Sequence, residues 1–180
     1  LLGGYEQRVF IEGKAEANPI VIFLHGGPGM PAPFSAESRD KFFRFTEHFT
    51  VVFWDQLGCG TNRFSITNDF TVNTFATMTV ALIREIRRGF PHNPIILFGA
   101  SLGSILSALA TAQVPDLVHA VLVYGQVLKE MFFNDEVFEA LKKSKAPQKT
   151  VDRYMSSKNK DEYTLLGDVG FISGTIQKYT

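Results

Sequence analysis

Four stretches of this chain are apolar at nearly every position rather than at every second one: Pro19–Leu24, Thr50–Trp54, Ile95–Phe98 and Val118–Val123. A strand with one solvated face alternates polar and apolar residues. Unbroken apolar character marks strands covered on both faces, as in a parallel sheet. Helical patterns lie between them. Asn73–Arg88 places Phe75, Met78, Leu82 and Ile86 at helical spacing. Leu102–Ala112 is small and apolar all round, as a buried helix would be, and Glu37–His48 reads as a further helix rich in Phe. Strands alternating with helices from Pro19 to Tyr124 predict a three-layer α/β fold. Its sheet is mostly parallel, with helices on both faces. A shorter β-branched run, Val9–Ile11, supplies one more strand before this series.

After Gly125 the texture changes. Asn134–Lys145, Pro147–Ser157 and the stretch from Asp161 onward are charged and helical, with no β-rich run before Val169–Ile172. Residues 1–125 are read as the α/β core and 126–180 as a helical cap or lid segment.

Composition narrows the function classes. With 180 residues, 45% hydrophobic and 20% charged, the chain has the make-up of one soluble globular domain and can bury a core. Lys plus Arg and Asp plus Glu are 18 each, so nothing favours a nucleic-acid partner. Pro19–Leu24 is too short to span a bilayer, and Leu1–Glu6 lacks a basic-then-apolar signal pattern. One cysteine, Cys59, excludes an internal disulfide framework and argues against a cysteine-based zinc site. A cytoplasmic location, no metal, no membrane and no cofactor are the expectations. The 17 Phe suggest an aromatic-rich core or pocket.

Three glycine-containing turns follow three of the apolar runs. Gly99-Ala100-Ser101-Leu102-Gly103 joins a buried strand to a helix, the setting in which Gly-x-Ser-x-Gly presents a reactive serine. Such a turn leaves no room for side chains at the flanking positions, hence Gly99 and Gly103. The helix beyond it begins with unpaired backbone N–H groups that suit a developing negative charge. His25-Gly26-Gly27-Pro28-Gly29 is a glycine run whose N–H groups can approach a ligand closely. One of them could pair with the N–H of Leu102 as a two-donor oxyanion hole. His25 is read as holding this loop rather than as a base. Trp54-Asp55-Gln56-Leu57-Gly58-Cys59-Gly60 reaches the same sheet edge. Asp55 could be a triad acid, but a turn that braces the neighbouring loops is the favoured reading, and Cys59 reads as a small buried filler.

These three motifs, in this order, resemble the α/β-hydrolase superfamily and more narrowly the proline iminopeptidase branch of serine peptidases. The resemblance covers about residues 5–127. It implies Ser101 as nucleophile, with the N–H groups of Gly27 and Leu102 as the oxyanion hole. His25, Gly26, Asp55, Gln56, Gly99 and Gly103 support the site. It also implies a helical cap after Gln126. Leu102, Leu57 and Asn62 stand where the family usually has Trp, Arg and often Ser, which bears on substrate specificity. Cap carboxylates hold the substrate's free amine in that branch. Glu130, Glu136, Glu139, Asp161 and Glu162 are available, although each reads individually as part of a solvated face.

A serine nucleophile needs a base and an orienting acid, in the chain order Ser, acid, His for this fold. Only His119 follows Ser101, and it begins a strand, at the opposite sheet edge. His48 and His92 also precede strands. A strand of about six residues spans roughly 20 Å, so none of the three reaches Ser101. The expectation is therefore a longer parent, a second polypeptide or a partial chain, with a missing C-terminal half supplying Asp and His. The expected activity is hydrolysis through an acyl-enzyme, releasing N-terminal residues from small peptides. The alternatives are a carboxylic-ester or lactone hydrolase and a non-catalytic ligand-binding protein.

Overall fold

The apolar runs become the interior of one five-stranded sheet. β1 (Phe10–Glu12), β2 (Ile20–Leu24), β3 (Thr50–Trp54), β4 (Ile95–Ala100) and β5 (Ala120–Tyr124) lie in the order β1-β3-β2-β4-β5. β2 to β5 are parallel, and β1 joins β3 antiparallel. The computed structural model describes residues 1–27, 29–31, 45–65, 70–127, 134–159, 174–175 and 178. Most of the expected helix Glu37–His48, together with Pro28, Glu130, Asp161, Glu162 and Val169–Ile172, lies outside the described residues. The chain divides into two units, Leu1–Gln126 and Val127–Thr180.

Register decides what can meet at the sheet edge. Trp54, Leu24 and Gly99 form one row across β3, β2 and β4. The turns after these three strands therefore leave the sheet side by side, about 4.8 Å apart per strand.

Alternation along the buried strands serves two cores. One face carries Ile20, Ile22, Leu24, Val52, Trp54, Ile95 and Leu97. These pack with Met78, Leu82, Ile83 and Ile86 of α2 (Val72–Gly89) and with Leu106 and Ala110 of α3 (Leu102–Gln113). Thr71 caps α2 through a reciprocal box with Thr74. The other face carries a second, smaller core with its own phenylalanines. Phe23 and Phe49 pack on Val51 and Phe53, and the Phe23 and Phe98 rings stack at 5.4 Å. Phe49 follows the short α1 (Phe45–His48) and stacks on Phe45.

Four expectations are corrected. β4 runs through Gly99 and Ala100 instead of stopping at Phe98, because those residues still pair with Val123 and Tyr124. The last strand begins at Ala120 rather than Val118, whose N–H closes the 3-10 turn Pro115–Leu117 on Pro115 O. That strand is also not buried. Val121, Leu122, Val123 and Tyr124 are 38%, 51%, 42% and 74% exposed. β5 pairs with β4 on one side, and no described strand covers its other side. In α3, likewise, only part of the surface is covered: Leu102–Ser104, Leu106, Ser107 and Ala110 are buried while Ala108 and Ala112 are exposed.

The second unit holds α4 (Asp135–Lys143) and α5 (Gln148–Ser156). Asn134 caps α4 by accepting from the N–H groups of Glu136 and Val137. Within this unit Leu141, Val151 and Tyr154 are buried, and Asn134 N–H donates to the Tyr154 hydroxyl at 3.3 Å. Among the described residues no helix is long and apolar enough to cross a membrane.

Candidate active site

Ser101 sits at the junction of β4 and α3 with φ 50° and ψ −116°. It is the one non-glycine with positive φ among the described residues. A side-chain-bearing residue in such a conformation stores on the order of 1–3 kcal/mol, which the surroundings must hold in place. They do so on three sides. Ser101 N–H donates to Tyr124 O at 2.9 Å. Ser101 O accepts from Ser104 N–H at 2.8 Å and from Ser104 Oγ at 2.6 Å. The flanking glycines let the turn close. A Cβ on Gly99 would lie 2.4 Å from Gly103 O, and one on Gly103 would lie 2.0 Å from Leu24 O. Strand, helix and the end of β2 are thereby packed backbone to backbone, and the Ser101 side chain is left exposed.

The glycine loop after β2 lies against this serine. A Cβ on Gly26 would be 3.1 Å from Ser101 Cβ and 3.7 Å from its Oγ. Gly27 has φ 132°, and a Cβ there would sit 2.5 Å from Gly29 N, so this position takes only glycine. Leu102 opens α3, where no intrahelical acceptor exists for its N–H.

His25 fastens the loop and is fully engaged in doing so. Gln56 N–H donates to His25 Nε2 at 2.9 Å, which places the ring proton on Nδ1. That Nδ1–H donates to Gly26 O at 2.8 Å. The Gln56 side-chain amide donates to His25 O, also at 2.9 Å. Burial holds the imidazole below the ordinary histidine value, opposed by the Gly26 bond and by the Asp55 charge. Both ring nitrogens are occupied within the scaffold, so His25 has none to offer Ser101.

Asp55 braces the neighbouring loop. Its Oδ2 accepts from Thr61 N–H at 2.8 Å and Thr61 Oγ1 at 3.1 Å. Its Oδ1 is buried with no hydrogen-bond partner among the described residues. Cys59 is buried, and its thiol lies against Gln56 O at 3.1 Å. Desolvation, then the Asp55 charge, pushes that thiol up to about 11.

A sequence model of the alpha/beta hydrolase fold matches residues 19–172. The chain belongs to the α/β-hydrolase fold family. It is 34% identical over 130 residues to the probable aminopeptidase YbaC of Bacillus subtilis, covering 71% of this chain and 40% of that protein. It is 41% identical over 113 residues to the proline iminopeptidase of Neisseria meningitidis serogroup A, covering 62% and 32%. Among solved structures, a proline iminopeptidase-related protein of Thermus thermophilus superposes with a TM-score of 0.57 at 20% identity, covering 91% of this chain and 56% of that one. The chain thus spans between a third and two-fifths of the length of these curated relatives.

In this α/β-hydrolase the turns after β2, β3 and β4 gather His25, Gly26, Gly27, Asp55, Gln56, Ser101 and Leu102 at one sheet edge. His119 directly precedes β5, and His48 and His92 lie shortly before β3 and β4. His119 N–H donates to Ile95 O at the first residue of β4, which fixes it at the opposite edge. Glu136 and Glu139 of the second unit are exposed, and Glu139 pairs with Lys142. Among the described residues no group of three metal-binding side chains occurs.

Two supporting residues escaped the sequence reading. Asn62, one of the departures from the family pattern, is fully buried, and its amide bonds Arg8 N–H, Arg8 O and Asp55 O. Its place just past a Gly-x-Gly turn was the available signal, since asparagine is favoured there for side-chain bonds to backbone. Ser104, one residue past the Gly-x-Ser-x-Gly motif, is the other: its hydroxyl donates to Ser101 O at 2.6 Å.

Proposed function

We propose that the complete α/β-hydrolase is a serine hydrolase with Ser101 as nucleophile. The observation that carries this reading is the positive-φ backbone of Ser101, held between Tyr124 and Ser104. A strained, exposed serine between two obligatory glycines has no packing purpose of its own. Ser101 Oγ attacks the acyl carbon and its proton passes to a histidine. The N–H groups of Gly27 and Leu102 receive the oxyanion. The amine leaves with the transferred proton, and water then releases the acid from Ser101.

The His25 contacts support the oxyanion assignment. In a trans peptide the C=O and the following N–H point in opposite directions. Holding Gly26 O on His25 Nδ1–H turns the Gly27 N–H away from the imidazole and keeps it off the scaffold. His25 and Gln56 act through this peptide, as positioning residues.

The base and its acid are assigned to a part of the protein outside this chain. His25 is engaged, and His48, His92 and His119 lie at or toward the other sheet edge. The relatives are two to three times as long as the span matched here. By likeness to those relatives the substrate is a short peptide with a free N-terminus.

The test is an intact mass spectrum of the purified protein with and without a fluorophosphonate probe, followed by turnover of aminoacyl and ester chromogenic substrates. A species above 20.1 kDa, or a second chain, with one adduct lost in Ser101→Ala and preference for proline amides supports the reading. A lone 20.1 kDa species that takes no adduct overturns it. Adduct formation with ester turnover alone overturns the peptide assignment and keeps the serine.

A further inference from the structure

The loop after β3 returns toward the segment that leads into β1, and the two line an open cleft of about 440 Å³. That is within the roughly 300–1,000 Å³ typical of small-molecule sites. Arg8, Arg63, Glu6 and Phe64 are among its lining residues.

The walls are stapled together by Asn62. Its side-chain oxygen accepts from Arg8 N–H at 2.7 Å, and its amide donates to Arg8 O at 2.9 Å and to Asp55 O. Two guanidiniums therefore spring from backbone positions fixed relative to one another. Arg63 spends its Nε on Gly60 O at 3.0 Å, which leaves both terminal amino groups. The Arg8 side chain makes no hydrogen bond or ion pair among the described residues, although Glu6 lines the same cavity. The whole chain is charge-balanced, so this is a local excess of cation and not part of a basic surface. Phe64 supplies an apolar wall, steadied by the Tyr5 ring at 5.8 Å.

Guanidinium forks match the two oxygens of a carboxylate or phosphate, and the one carboxylate in this lining, Glu6, leaves two exposed guanidiniums with an excess of one positive charge. We propose that this cavity binds a small molecule bearing a carboxylate or phosphate group, held by Arg8 and Arg63 with its apolar part against Phe64. The site goes beyond the serine-hydrolase reading and stands without it. Phe10 pairs with Phe53 near the end of β3, so Arg8 lies at the same sheet edge as Ser101. The order β1-β3-β2-β4 separates them by three strand steps, roughly 14 Å, which makes this a separate subsite.

The experiment is an NMR titration of the arginine Nε–Hε resonances of this chain with inorganic phosphate, benzoate and neutral benzamide. The expected result is a saturable shift at Arg8 and Arg63 with phosphate or benzoate and none with benzamide. Whichever anion saturates identifies the head group. Arg8→Gln and Arg63→Gln each weaken that binding about tenfold or more, the loss expected of one charge-assisted pair. Arg8→Gln removes a side chain that bonds nothing, so it decides the matter even where Arg63→Gln disturbs the loop. Shifts that never saturate, equal response to benzamide, or unchanged affinity in Arg8→Gln overturn the proposal.

Discussion

Gln56 grips His25 twice, through its backbone N–H to the ring Nε2 and through its side-chain amide to the His25 carbonyl, both at 2.9 Å. The two residues follow different strands, so this pair ties the loop after β2 to the loop after β3. Gln56→Leu leaves the first bond and removes the second, stranding a buried carbonyl. The expected cost is about 1–3 kcal/mol in urea unfolding. In the complete hydrolase kcat should fall while KM stays nearly unchanged. A variant as stable and as active as the parent would show that the second bond does no positioning.

Stability should fall in mild acid. The folded His25 is held below its ordinary value of 6.5, so the unfolded chain binds its proton more readily than the folded one. The contribution is complete above about pH 6.5 and is lost as pH drops from there through the folded value. Urea midpoints between about pH 8 and pH 5 should therefore decline, and His25→Asn should flatten that part of the curve. An identical decline in His25→Asn would assign the effect to other groups.

Ser101→Gly should stabilise the chain while Ser101→Ala does not. Glycine adopts the positive-φ backbone freely, and alanine keeps the Cβ that makes it costly. Relief of strain, less the extra freedom glycine gives the unfolded chain, leaves a gain of about 1 kcal/mol. Thermal unfolding of the pair reads it directly. Equal melting temperatures would mean that the turn stores no strain.

Cys59 should resist alkylation at neutral pH. Its thiol is pushed up to about 11 by burial and by Asp55, and the thiolate is the species that reacts. Iodoacetamide should label it only as fast as the chain opens, with full labelling in denaturant. Rapid labelling of the folded protein would contradict the burial seen here.

The outer strand should make this chain sticky. Val121, Leu122 and Val123 are exposed on a strand whose outer side no described strand pairs. Leu122→Lys should lower light scattering of concentrated samples without shifting the unfolding midpoint by more than about 0.5 kcal/mol. Unchanged scattering would locate association elsewhere.

The central strands were legible because burial on both faces leaves a composition that few other structures share. The runs at Ile20, Thr50 and Ile95 could hardly be anything else. Val118 looks like strand and so predicts β5 two residues early, whereas Pro115, three residues before it, starts a 3-10 turn that uses its N–H. The run Val118–Val123 reads as a strand to be buried, and equally as an exposed apolar edge where no further strand follows; β5 shows the second, since no described strand lies beside it. At the candidate site Ser101, Gly99 and Gly103 were visible through their spacing. Asn62, Arg8 and Arg63 were not, because their association depends on residues 54 positions apart meeting across a loop. No local pattern encodes that meeting.

The bond from Ser101 N–H to Tyr124 O has a consequence for the order of events in folding. The Ser101 turn takes its shape from β5, the strand at the margin of the described sheet. Fraying of that strand would reach the serine before it reached anything in the interior. Whatever shelters β5 would then also set the geometry of the Ser101 hydroxyl, so the shape of this turn would be completed only when the margin of the sheet was covered.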